Sequence, residues 1–224
     1  MSYLLVPGAG GDEHYWHLLV PLLEAGGAQV RPVRLPASDE SAGLGEYADA
    51  IAAAGSDLTD VVLVAQSMGA FSAPLACDRL DVRRIVLVNP MTPAPGETAG
   101  EWWDATGQTA ARREAETAAG RDPEAEFDLR EGFFHDVPDE VTEAMFARGE
   151  PAQGERPFGE PWPLAAWPDL PTSVVSGRDD RLFPVAFQQR LNRERLGVEA
   201  RVVAGGHLVA LSRPEELAAQ ILRR

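Results

Sequence analysis

The sequence predicts an α/β fold: a mostly parallel sheet of about six strands, helices on both faces and a helical insertion laid over it. Three observations carry this prediction. Apolar, mostly β-branched runs such as Val61-Val62-Leu63-Val64 and Ile85-Val86-Leu87-Val88 lack polar alternation, as strands buried on both faces do. These runs alternate with stretches of helical spacing, the pattern of a parallel sheet with crossover helices. The alternation breaks once, from Asn89 to about Asp169, and then resumes. The 224 residues read most simply as a single domain, 1–224, with the insertion at about 91–168.

In order, Tyr3 to Val6 reads as a strand, and Pro7-Gly8-Ala9-Gly10-Gly11 as a loop with little side-chain bulk. His14 to Ala25 has helical spacing through Trp16, Leu19, Val20, Leu22 and Leu23. Val30 to Leu35 is a second strand and Leu44 to Ala54 a helix with Tyr47 and Ile51 inward. Val61 to Val64 is the central strand, Gln66-Ser67-Met68-Gly69 a sharp turn, and a helix follows from about Met68. Arg84 to Val88 is the fourth strand.

The insertion opens with turn residues, Thr92-Pro93-Ala94-Pro95-Gly96. It carries Trp102 and Trp103, a polar Ala-rich run from Thr109 to Gly120, Phe133-Phe134-His135-Asp136, a helix at Asp139 to Arg148, and a Pro/Gly-rich stretch with Trp162 and Trp167. Its aromatics either line a pocket or fasten the insertion down. Thr172 to Ser176 is then a strand, Val185 to Leu196 a helix and Ala200 to Val203 the last strand. Ser212-Arg213-Pro214-Glu215 reads as a capping box before a final helix with Leu217, Ile221 and Leu222 on one face.

The net charge is −15, and all 20 bases are Arg. Such a surface repels nucleic acid and anionic membranes. The single cysteine, Cys77, excludes an intramolecular disulfide and reads as a small core residue. With no signal-like N-terminus and no long apolar span, the expected compartment is cytoplasmic. The expected partner is a small-molecule substrate, without nucleic acid or membrane, for a monomer or homodimer. No cofactor and no metal are expected. The glycine loop after the first strand lacks G-x-G-x-x-G spacing and the Lys-Ser/Thr of a P-loop. Its backbone N–H groups suit an anion that forms transiently.

Three loops at the carboxyl ends of predicted strands carry Ser67, Asp180 and His207, at the edge where open parallel sheets build their sites. A serine hydroxyl needs a neighbouring imidazole to take its proton, and that imidazole needs a carboxylate to hold its tautomer. Ala65-Gln66-Ser67-Met68-Gly69 has small residues two positions either side of the serine, as a tight strand–turn–helix requires. Taken alone, Ser67 could equally be an ordinary helix N-cap.

Ala65-Gln66-Ser67-Met68-Gly69, the loop Gly177-Arg178-Asp179-Asp180-Arg181-Leu182-Phe183-Pro184 and Gly205-Gly206-His207-Leu208, in the order Ser, Asp, His, together resemble the α/β-hydrolases along nearly the whole chain. The resemblance implies the α/β-hydrolase fold and a Ser67–Asp180–His207 triad, with Asp179 the rival acid. It also implies an oxyanion hole made by the N–H groups of Ala9 and Met68, with Gly10 a competing donor. Ala65 departs from the usual glycine, and Pro7 from the usual histidine. Pro7-Gly8-Ala9-Gly10-Gly11…Trp16, the segment Phe134 to Arg148, and His207-Leu208-Val209-Ala210-Leu211-Ser212-Arg213-Pro214 resemble the compact branch of plant methylesterases, hydroxynitrile lyases and related bacterial esterases. Lyases of this type carry lysine after the histidine and threonine at the place of Gly8; here Leu208 and Gly8 stand instead, which favours hydrolysis.

The expected activity is serine hydrolysis of a small, mainly apolar carboxylic ester through an acyl-enzyme on Ser67. Trp102, Trp103 and Phe134 are the expected substrate-binding residues of the insertion. The alternatives are a non-catalytic binding protein of this fold, or a lyase, lactonase or thioesterase using the same residues.

Overall fold

A computed structural model of the chain describes residues 1–223. Six strands form one sheet: β1 (Ser2–Val6), β2 (Gln29–Pro32), β3 (Val61–Gln66), β4 (Val82–Val88), β5 (Thr172–Gly177) and β6 (Arg201–Val203). The order is β2-β1-β3-β4-β5-β6 and every neighbouring pair is parallel. The expected parallel sheet is thus wholly parallel. Alternation along each strand sends side chains to opposite layers. Tyr3, Leu5, Val62, Val64, Val86 and Val88 face one core with Trp16, Leu19, Leu217 and Ile221. Leu4, Leu63, Ala65, Ile85 and Leu87 face the other with Tyr47 and Ile51. The unbroken apolar runs follow from burial on both faces.

Before β4 ends, three helices have been laid down: α1 (Val20–Glu24), α2 (Leu44–Gly55) and α3 (Gly69–Ser72). Two of the expected helices are shorter than their periodicity suggests, and proline is the reason. The stretch His14 to Ala25 divides into a 3-10 turn, Glu13–Trp16, and α1, with Pro21 in the first turn of α1. The helix after Ser67 changes to 3-10 geometry over Ala73–Arg79, with Pro74 near its start. β2 ends at Pro32 rather than Leu35, although Val33 still donates to the Leu5 carbonyl at 2.9 Å.

Between β4 and β5 the insertion holds α4 (Ala99–Thr106), α5 (Gln108–Ala118), α6 (Leu129–Phe133), α7 (Asp139–Ala147) and α8 (Arg156–Gly159). Thr98 and Glu101 cap α4 reciprocally. The insertion is pinned by a third apolar cluster that joins Met68 and Phe71 to Trp102, Trp162, Phe183 and Phe187. The Trp162 indole N–H donates to the Phe71 carbonyl at 3.0 Å, tying the insertion to α3.

The chain closes with α9 (Val185–Leu196), α10 (Val209–Ser212) and α11 (Pro214–Leu222). The expected capping box at Ser212 does not form. Ser212 is the last residue of α10, its buried hydroxyl has no partner among the described residues, and Arg213 holds the N-cap position before Pro214. Leu217 and Ile221 are buried as expected, but Leu222 is 44% exposed. Among the described residues no helix is long and apolar enough to cross a membrane.

Candidate active site

The sheet order places a topological switch at the β1–β3 boundary, because β1 leads out to β2 on one side and β3 begins the run on the other. Sites in open parallel sheets lie at such a point, outside the carboxyl ends of the strands. The loop after β1 and the turn after β3 flank it.

Ser67 follows β3 with φ +50°, a left-handed backbone that non-glycine residues seldom adopt. The packing around it shows why its neighbours are small. A Cβ on Gly69 would lie 2.6 Å from the Pro7 carbonyl oxygen, and one on Gly8 2.4 Å from Gln66 Oε1 and 2.9 Å from the Ser67 Cβ. The two turns are therefore in direct contact. Ala65 is fully buried with its methyl group in the core, so the departure from glycine is accommodated there. A side chain at position 8 would therefore displace the Gln66 amide and press on the Ser67 Cβ.

Ser67, His207 and Asp180 form one chain of hydrogen bonds. His207 Nε2 lies 3.1 Å from Ser67 Oγ, and His207 Nδ1 lies 2.8 Å from Asp180 Oδ2. A carboxylate only accepts, so Nδ1 carries the proton and Nε2 is free to accept from the serine. Asp180 Oδ1 accepts from the backbone N–H groups of Leu182 and Phe183, both at 2.8 Å, so both carboxylate oxygens have partners. All three residues are nearly enclosed: Ser67 is 8% exposed, Asp180 4% and His207 2%. Asp179 points elsewhere, to Arg178 and to the Gly205 N–H. Burial pulls its pKa upward, but the Arg178 hydrogen bond and the backbone contact outweigh that and hold the carboxyl below its ordinary value.

The loop after β1 supplies candidate donors. Gly10 N–H donates to the side-chain oxygen of Gln153 at 2.8 Å. The N–H groups of Ala9 and Met68 have no protein acceptor among the described residues. Of the two alternatives on this loop, Ala9 is the one left free.

The insertion residues divide. Trp102 is fully buried. Its ring packs against Trp103, Phe183 and Phe187, and its N–H donates to the Thr92 carbonyl at 2.9 Å. In this structure the ring is enclosed by these partners, where a substrate-binding role was expected of it. Trp103 is half-buried on the same cluster. Phe134 packs edge-on against Phe146, with centroids 5.1 Å apart. Its neighbour Phe133 stacks on the His207 ring at 5.0 Å, and Phe183 meets the same ring edge-on at 5.0 Å.

Two further residues hold the histidine loop. Asn89, fully buried just after β4 with φ +43°, donates to the carbonyls of Gly206 (3.1 Å) and His207 (3.0 Å) and accepts from the Gly177 N–H (2.7 Å). Asp136, from the insertion, accepts from the Gly206 N–H at 2.7 Å. The signal for Asn89 was in the sequence: asparagine tolerates the left-handed backbone, and it stands directly after a strand. Nothing local marks Asp136. Elsewhere, Cys77 is half-buried against the second core cluster rather than inside it, and desolvation there pushes its thiol up to about 12. Among the described residues no cluster of His, Cys, Asp and Glu is arranged to hold a metal ion.

This site sits on a fold shared with solved enzymes. A pyrethroid hydrolase from Sphingobium faniae JZ-2 matches at TM-score 0.74 and 22% identity, covering 99% of this chain and 95% of its own. A Paenibacillus extracellular alpha/beta-hydrolase matches at TM-score 0.77 and 16% identity, over 99% of this chain and 98% of its own. A methylesterase from Arabidopsis matches at TM-score 0.75 and 20% identity, over 100% and 98%. At these identities the likeness carries the fold. No curated protein matches the chain. The family model described as the alpha/beta hydrolase family matches residues 3–220, nearly the whole sequence, and the chain belongs to that family.

Proposed function

We propose that the protein is a serine hydrolase of small, mainly apolar carboxylic esters, acting through an acyl-enzyme on Ser67. The observation that carries this reading is the continuous Ser67–His207–Asp180 hydrogen-bond chain, built on a serine held at φ +50°. Ser67 Oγ attacks the ester carbonyl carbon as its proton passes to His207 Nε2. The tetrahedral oxyanion is held by the N–H groups of Ala9 and Met68, which have no other acceptor. His207 then returns the proton to the departing alkoxide, leaving the acyl group on Ser67. Water, deprotonated by His207, attacks the acyl carbon; the acid leaves and Ser67 regains its hydrogen. Asp180 keeps the imidazole in the required tautomer and stabilises the imidazolium in both halves.

The aromatic faces of Phe133 and Phe183 beside His207 favour an apolar substrate, and a net charge of −15 disfavours an anionic one. Neutral esters of the kind that methylesterases and a pyrethroid hydrolase act on fit both constraints. Gly8 and Leu208 argue against a lyase, since neither threonine nor lysine is available at those places.

Hydrolysis of p-nitrophenyl acetate by wild type and by Ser67→Ala tests the reading. Ser67→Ala is expected to fold normally and to lose at least three orders of magnitude in kcat, as loss of a triad nucleophile does. Retention of activity within about tenfold would remove Ser67 from the nucleophile role.

A further inference from the structure

Ala9 is left as a free donor because Gly10 is occupied, and the group that occupies it comes from the far end of the insertion. Gln153 Oε1 accepts from the Gly10 N–H at 2.8 Å, across 143 residues of sequence. Its Nε2 donates to the Gly154 carbonyl at 2.8 Å and to the Tyr47 hydroxyl at 3.1 Å. The amide orientation is fixed by these partners: a carbonyl can only accept, and an N–H can only donate. Gln153 is half-buried and its side chain is held at both ends. The segment that carries it is anchored as well. Gly154 N–H donates to the Ala37 carbonyl at 2.8 Å, and a Cβ on Gly10 would meet the Pro151 ring at 2.9 Å.

The loop that Gln153 grips closes a turn of its own, with the Gly11 N–H donating to the Gly8 carbonyl at 3.1 Å, but neither that bond nor the one from the Leu35 N–H to the Gly11 carbonyl holds the Ala9–Gly10 peptide at the middle of the turn. Gly10 and Gly11 have φ of +86° and +60°, and such residues allow their peptide planes to turn at little cost. The Ala9–Gly10 peptide has the Gly10 N–H at one end and adjoins the peptide that carries the Ala9 N–H. A turn of that plane would release Gly10 as a rival donor and shift Ala9. Oxyanion donors act only when placed to within a fraction of an ångström beforehand.

We infer that Gln153 is a positioning residue for the oxyanion hole: by holding the Gly10 N–H it selects Ala9 as the donor and makes that donor depend on the seating of the insertion. This role presupposes Ser67 hydrolysis with Ala9 and Met68 as oxyanion donors. It would act on the transition state and not on substrate capture, because Gln153 holds the loop and not the ester.

Wild type, Gln153→Leu, Tyr47→Phe and Arg148→Ala are compared with p-nitrophenyl acetate as substrate and an alkyl trifluoromethyl ketone as a tetrahedral analogue. Arg148 pairs with Asp12 at 3.1 Å, so its loss breaks an exposed contact between the insertion and the same loop without touching Gly10. Gln153→Leu is expected to lower kcat about 10- to 100-fold, less than outright loss of an oxyanion donor. KM should change by less than about threefold, and ketone affinity should fall by the same factor as kcat. Tyr47→Phe leaves the Gly10 bond and should cost about threefold or less, and Arg148→Ala should leave kcat and ketone affinity unchanged. If Gln153→Leu does not fold, Gln153→Met carries the same prediction. A folded Gln153 variant with wild-type kcat and ketone affinity overturns the role. So does one whose KM rises while ketone affinity holds, or an Arg148→Ala that loses as much as Gln153→Leu. Fluorophosphonate labelling of wild type separates the two levels: a labelled, active wild type with an indifferent Gln153 sinks only this role, and an unlabelled, inactive wild type sinks the hydrolase reading as well.

Discussion

The carboxyl edge of the sheet and the insertion that covers it are built on different principles. At the edge, parallel strands all point the same way, so loops up to 140 residues apart deliver Ser67, Asp180 and His207 to one place. The strand direction decides the outcome. In the insertion the helices are short and no ladder sets their direction. A side chain's role there depends on helix phase, and one residue turns it by about 100°. Trp102 is sealed in the core while Trp103 is half-buried, and Phe133 faces the imidazole while Phe134 packs on Phe146. Roles at the edge survive small errors in element boundaries; roles in the insertion do not.

The sharpest break in this contrast is at the acid. Asp180→Asn should lower kcat by about 10⁴-fold, the scale found when a triad carboxylate becomes an amide. Asp179→Asn should cost less than about tenfold, because Asp179 pairs with Arg178 and Gly205 instead. Steady-state kinetics on both variants decide it, and the reverse ranking would make Asp179 the acid.

The insertion should answer differently to the loss of a fastener and the loss of a covering ring. Trp102→Ala should destabilise the protein by about 3–5 kcal/mol, the usual cost of emptying a buried aromatic site. Unchanged denaturant stability together with altered substrate preference would return Trp102 to the substrate. Phe133→Ala should change the ratio of kcat/KM between p-nitrophenyl butyrate and acetate by about tenfold, within the range expected for one or two methylenes in an apolar pocket. Phe134→Ala should change it by no more than about threefold. Equal effects would mean that neither ring meets the acyl chain. Least of all should happen at Cys77. With its thiol pushed up to about 12, little thiolate exists at pH 8. Iodoacetamide should leave the native protein unmodified and fully active by mass spectrometry and assay.

The same contrast explains what was legible in the sequence. The inner strands were readable because burial on both faces leaves apolar runs, the half-exposed edge strands β2 and β6 from the alternation of strands with helices, and α9 because Gly197 closes it in a left-handed turn. The hydrogen-bonded trio was readable because each member follows a strand within a few residues. Helix lengths were misread where Pro21 and Pro74 interrupt good apolar spacing, and the box at Ser212 because α10 had already claimed that residue. Asn89 left a readable trace, a left-handed-tolerant residue at a strand end. Asp136 and Gln153 left none, since each acts on a loop about 70 or more residues away and only the closed chain brings them there.

Hydrolysis of the proposed kind passes an acyl group through Ser67. Rapid acid quench of wild type during turnover of p-nitrophenyl butyrate, followed by peptide mass spectrometry, reads this directly. A butyryl adduct is expected on the peptide containing Ser67, more abundant in early turnover than at exhaustion and lost in Ser67→Ala. Steady turnover with Ser67 unmodified throughout, or an adduct on another residue that supports undiminished turnover in Ser67→Ala, would contradict it.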